Sequence, residues 1–130
     1  MREAKEAEFW LQSAKNLFNS EFVSREKYTV VVAQSIHSII RANDALTLKF
    51  LNKRAVKHLE AVDLFLTLIK LNKIPSKFAD LRKTILEPAI DTKSKADYRG
   101  AEFSKSEAEK WLRLAEKFLT AAKESLNINE

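Results

Sequence analysis

Cysteine is absent from the 130 residues, glycine occurs once (Gly100) and proline twice (Pro75, Pro88). Without cysteine there is no disulfide framework, no thiol chemistry and no thiolate metal site. So little glycine and proline removes the turn chemistry that an all-β chain needs every few residues, and the class is therefore helical. No apolar run approaches the roughly 20 residues of a membrane span. The opening MREAKEAEFW is too charged for a signal peptide, so a soluble, cytoplasmic protein without membrane association is expected. Two histidines, His37 and His58, are too few and too far apart for a zinc site, and no Gly-rich phosphate loop is present. No metal and no cofactor is expected.

What is present is charge and helical periodicity. Lysine and arginine number 23 against 18 acidic residues, a formal +5, which permits an anionic partner without identifying one. The length fits a single domain, 1–130, large enough to build its own core.

Five segments carry apolar residues at helical spacing. Residues 3–19 place Ala7, Trp10, Leu11, Ala14, Leu17 and Phe18 on one stripe. A second helix, N-capped by Ser24, is predicted to run to about Phe50. A third begins near Asn52 and ends near Asn72, burying Leu59, Val62, Leu66 and Ile69. Ser76 then caps a fourth with Phe78, Leu81 and Ile85, which Pro88 kinks or ends. The last opens on the capping box Ser104–Glu107 and keeps Ala108, Trp111, Leu112, Ala115, Phe118 and Leu119 on one face. Amphipathic helices joined by short links predict an up-and-down antiparallel bundle, four long helices plus a short additional one. Trp10, Phe18, Ile36, Ile39, Leu66, Phe118 and Leu119 are assigned to one core. Leu66→Ala should then cost about 2 to 5 kcal/mol.

Helix two has two distinct sides. Val32, Ile36, Ile39, Asn43 and Leu46 share one, and buried Asn43 must find a hydrogen-bond partner or face a gap. Gln34, His37, Arg41 and Asp44 share the other. They form either a solvated face with a favourable Arg41–Asp44 pair, or a surface set against a second subunit or ligand.

Four stretches, EAEFWLQSAKNLF, VVAQSIHSIIRANDAL, KRAVKHLEAVDLF and DYRGAEFSKSEAEKWLRLAEKFL, resemble in order and spacing the HEPN (higher eukaryotes and prokaryotes nucleotide-binding) domains. The resemblance covers nearly the whole chain. Trp10 and Ala14 match its first helix, Gln34, Arg41 and Ala42 its second, His58 the start of its third, and Tyr98 the aromatic position before the last. It implies a helical bundle, often a homodimer, that is commonly paired with a small nucleotidyltransferase in toxin–antitoxin systems or binds a nucleotide or RNA. Tyr98 and Arg99 join Gln34, His37, Arg41 and Asp44 as candidate ligand- or partner-binding residues.

Many members are metal-independent ribonucleases with an Arg and a His separated by about four to six intervening residues. A histidine carries the proton and a guanidinium holds the phosphorane-like charge. Arg54 and His58 are the catalytic candidates here, with Arg99 as a possible aid. Only three residues separate the pair, Ala55 stands where a polar residue is usual, and no histidine follows His58. The resemblance therefore favours a non-catalytic interaction module, with a divergent ribonuclease as the alternative. In the non-catalytic case Arg54 and His58 are a first-turn polar pair, His58 partly buried and hydrogen-bonded.

Overall fold

The structure is a computed structural model that describes residues 1–98 and 100–127, with the side chains of 96–98 outside the description. It is all-helical: α1 (Arg2–Phe18), α2 (Glu26–Leu51), α3 (His58–Lys70), α4 (Glu87–Tyr98) and α5 (Lys105–Leu126). A 3-10 turn (Ser76–Phe78) and a π turn (Arg82–Leu86) lie between α3 and α4. No strand occurs among the described residues, and no helix there is long and apolar enough to cross a membrane.

Local chemistry explains where the helices begin and end. At α5 the expected capping box forms, the Glu107 N–H donating to Ser104 Oγ at 3.1 Å and the Ser104 N–H to Glu107 Oε1 at 3.0 Å. Ser24 does not cap α2. Its hydroxyl donates to the Glu26 carboxylate at 2.9 Å, and Arg25 is the N-cap residue.

Asn52, expected inside the third helix, instead closes the second. It adopts a left-handed conformation (φ 53°, ψ 36°), with its N–H donating to Leu48 O and the Lys53 N–H to Thr47 O. The chain then runs irregularly to Lys57, whose extended backbone and N–H···Glu60 bond of 3.1 Å start α3 at His58. Asn72 and Asn127 also hold positive φ at the ends of α3 and α5. In a chain with one glycine, asparagine supplies the left-handed residue.

Pro88 does not end the fourth helix. A proline cannot donate to the carbonyl four residues back and crowds it. The π turn before it widens the backbone, the Glu87 N–H reaching Arg82 O, and the helix continues to Tyr98.

Packing follows from these elements. α1 runs antiparallel to α5, since Lys15 pairs with Glu116 at 3.2 Å while Glu8 pairs with Lys123 at 2.7 Å. It also runs antiparallel to α2, with Ser13 on Gln34 and Glu6 on Arg41. The side of α2 carrying Val32, Ile36, Ile39 and Leu46 is fully buried, as the spacing predicts, and meets Trp111, Ala115, Phe118 and Leu119 in one contiguous core. Asn43 is buried there, its Nδ2 donating to Ala61 O at 3.4 Å while Oδ1 has no hydrogen-bond partner among the described residues.

Three burial assignments are corrected. α3 starts at His58 and turns Ala61, Phe65 and Leu68 inward, leaving Leu66 half-buried and Leu59 78% exposed. Trp10 is 37% exposed and stacks on His37, while Ala7, Leu11 and Ala14 fill the inner face of α1. Chemical denaturation should therefore show Phe65→Ala costing about 3 to 5 kcal/mol. Leu66→Ala should cost about 1 kcal/mol, well under the range for a fully buried leucine.

Candidate functional site

The polar side of α2 is covered by α1 of the same chain. Arg41, 17% exposed, reaches across both helices. Its Nη1 meets Asp44 at 2.8 Å, and its Nη2 meets Glu6 at 3.1 Å and Glu3 at 3.7 Å. The Arg41–Asp44 pair expected from their spacing forms, but as part of a network that includes two carboxylates from α1. One turn earlier in α2, His37 lies against Trp10, with ring centroids 4.8 Å apart and planes 24° from parallel. One turn further, the Gln34 amide donates to Ser13 Oγ at 3.0 Å. Ser38 completes the seam, its hydroxyl donating to the Ala7 carbonyl at 2.7 Å.

Electrostatics in this seam are set by burial working against ion pairing. Burial pushes the Asp44 carboxyl above its usual range, and Arg41 and Arg54 offset this only in part. Burial alone would lower Arg41, but its bonds to Glu6 and Asp44 more than compensate and keep the guanidinium firmly charged. Glu3 sits below the usual carboxylate range, held there first by the backbone N–H of the opening helical turn and then by Arg2 and Arg41.

Gln34, His37, Arg41 and Asp44 are thus brought together, with Glu3, Glu6, Trp10 and Ser13 from α1. Glu3 and Glu6 are the site residues that the sequence reading does not single out; their three-residue spacing is the available signal, since it puts both carboxylates on one edge of a helix. The side chain of Tyr98 and the whole of Arg99 lie outside the described residues.

Arg54 and His58 do not share a helix face. Arg54 sits in the irregular stretch before α3, His58 is the first residue of α3, and both are exposed. The His58 side chain is exposed and makes no hydrogen bond among the described residues, which corrects the expectation of a tucked first-turn pair. Among the described residues no cluster of three or more His, Cys, Asp or Glu side chains could hold a metal ion.

Beside the seam, α1 turns an aromatic surface outward. Phe9 is 72% exposed, and with Glu6, Trp10 and Ser13 it lines a shallow hollow of about 280 Å³. A helix that must bury Ala7, Leu11 and Ala14 cannot also bury Phe9. No family model matches the chain, and no curated protein matches it in sequence.

Removing the guanidinium tests the seam. Arg41→Met leaves three carboxylates without their shared cation and should cost about 3 kcal/mol at neutral pH. Charged Glu3 contributes stability above its ordinary titration range, lost as pH falls through its lowered folded value. Charged Asp44 costs stability above its raised folded value, relieved as pH falls. In the Met variant Asp44 loses its nearest counter-charge and gains by taking up a proton, while Glu3 keeps its backbone N–H and Arg2. Its deficit against wild type should therefore shrink as pH drops through about 4, measured by urea titration across pH.

Proposed function

We propose that the chain is a HEPN-like, non-catalytic interaction module: an up-and-down antiparallel helical bundle that works in the cytoplasm as a homodimer and docks a protein partner. The carrying observation is the exposed aromatic face of α1, where Phe9 stands free and Trp10 is held in a fixed orientation by its stack on His37. Rigid aromatic area of this kind gains affinity on burial at little conformational cost. A small nucleotidyltransferase of a toxin–antitoxin-type pair is the class of partner that the four quoted stretches suggest. A nucleotide or RNA is the other occupant compatible with them.

The expected dimer contact on the polar side of α2 has to be relocated in this reading, because α1 occupies that side. Arg41→Glu would set a fourth carboxylate among three and so report on folding rather than on association.

A metal-independent ribonuclease is the second reading. Exposure of both Arg54 and His58 leaves them open to a substrate. Against it, the irregular backbone around Arg54 removes the shared helical face that would hold guanidinium and imidazole on one phosphate.

Two measurements separate the readings. The reading expects a nucleotidyltransferase encoded beside this chain; co-expressed with it, the wild-type chain should form a complex that Phe9→Glu abolishes without loss of helical signal. Purified alone, it should leave structured and single-stranded RNA intact. His58→Ala should change stability by less than about 0.5 kcal/mol. RNA cleavage that vanishes in both folded Arg54→Ala and His58→Ala proteins would establish the ribonuclease instead.

A further inference from the structure

The surface around the α2–α3 junction has two halves of opposite sign. From Ala45 to Leu59 the chain carries no acidic residue, yet Lys49, Lys53, Arg54 and Lys57 are all exposed there. Among the described residues none of these four cations forms a salt bridge, although Arg54 is near enough to Asp44 to favour its charged form. The nearest exposed carboxylate, Glu60, accepts from the Lys57 backbone. Val56, 87% exposed, projects from the middle of this basic segment.

The segment leads directly into a groove of about 400 Å³ between α3 and α4. Its apolar lining is Leu59, Val62 and Ile90, and its charged lining is Asp63, Glu87 and Asp91 with no cation among them. Glu87 is tied to Arg82 at 2.9 Å, whereas Asp63 and Asp91 form no ion pair among the described residues. Leu59 belongs to both halves, being the residue after the basic segment and part of the groove lining.

A protein with net charge +5 thus has an acidic, apolar-lined groove adjoining an unpaired basic segment with an exposed apolar tip. The segment cannot fold back into its own groove, because Lys57 and His58 are fixed at the start of α3, the helix that forms the groove's wall. A second copy related by a twofold axis can fill it. In an isologous contact each basic segment meets the other copy's groove, so both charge pairings are made twice.

From this complementarity we infer that the homodimer forms through the α2–α3 junction. Lys53, Arg54 and Lys57 face Asp63 and Asp91 of the second copy, and Val56 and Leu59 close over its Val62 and Ile90. The inference rests on the dimeric reading given above and supplies its interface. Burial of Val56 and Leu59 provides the apolar centre, and the charges around it set register and partner choice.

Sedimentation equilibrium on the full chain tests this with two complementary charge reversals. Lys53→Glu with Arg54→Glu and Lys57→Glu makes both halves acidic, leaving Lys49 as the segment's one cation, while Asp63→Lys with Asp91→Lys makes both basic. Each protein alone should dissociate at least about tenfold more readily than wild type, because like charges then face each other at both contacts. Mixed in equal amounts, the two should recover a heterodimer, since every contact again joins opposite signs. Wild-type association should also weaken as salt is raised from about 0.05 to 0.5 M.

A wild-type chain that stays monomeric at all concentrations would overturn both the dimeric reading and this interface. A dimer that persists in both variants, or two monomeric variants that fail to pair on mixing, would overturn the interface alone. If the Lys53→Glu, Arg54→Glu, Lys57→Glu protein keeps its dimer mass but loses binding to a single-stranded oligouridine, the basic segment is a nucleic-acid surface and the inference is wrong.

Discussion

The guanidinium of Arg41 is the point on which the arrangement of the first two helices turns. Helix α2 has an apolar side that the core covers and a polar side that also needs covering, because Ser38 and Asp44 are buried within it. Glu3 and Glu6 of α1 supply the charge that makes burial of Arg41 and Asp44 tolerable, and the Ala7 carbonyl receives the Ser38 hydroxyl. This fixes the rotation of α1 about its axis. Ala4, Ala7, Leu11 and Ala14 face inward, and Phe9 must then face out. The exposed aromatic face follows from how the seam packs.

The small residues at the contact have a further role. Alanines at 7 and 14 of α1 and at 42 of α2 are fully buried, and side chains this short let the helix backbones approach closely enough for the Ser38 hydroxyl to reach a carbonyl on the neighbouring helix. Larger residues there would separate α1 from α2 and leave polar groups of the seam buried without partners, at a cost that grows with each one lost.

Much of the fold was legible because periodicity and capping point the same way in the long helices. In α5 the box Ser104–Glu107 and the apolar face from Ala108 to Leu119 agree, and both appear as read. In α2 the inward set from Val32 to Leu46 is recovered in full. The misreadings have local causes. Asn52 reads equally well as a helix start and as a left-handed stop, and reading it as a start puts Arg54 and His58 on one face. Residues 59–69 carry two apolar stripes at helical spacing, Leu59, Val62, Leu66 and Ile69 beside Ala61, Phe65 and Leu68, and only packing decides that the second is buried. Pro88 is a helix breaker by local rules, and a π turn does not show in residue spacing. Trp10 lies at the edge of its stripe, where the partner across the helix decides burial, and that partner, His37, is 27 residues away. The polar residues of α2 share one side of the helix, as their spacing predicts, but what they face is tertiary information.

The enclosure of α2 also bears on how the molecule comes apart. With one side in the core and the other under α1, this helix has little edge open to water, so its amide protons can exchange with solvent only when α1 lifts or the whole chain unfolds. The residues between Asn52 and Lys57, with few backbone bonds and side chains mostly exposed, need no such event. Opening therefore proceeds from the α2–α3 junction and the outer helices toward α2. A partner that seizes the junction would restrain the part that opens first, and so slow the early fluctuations of the protein more than it strengthens the core.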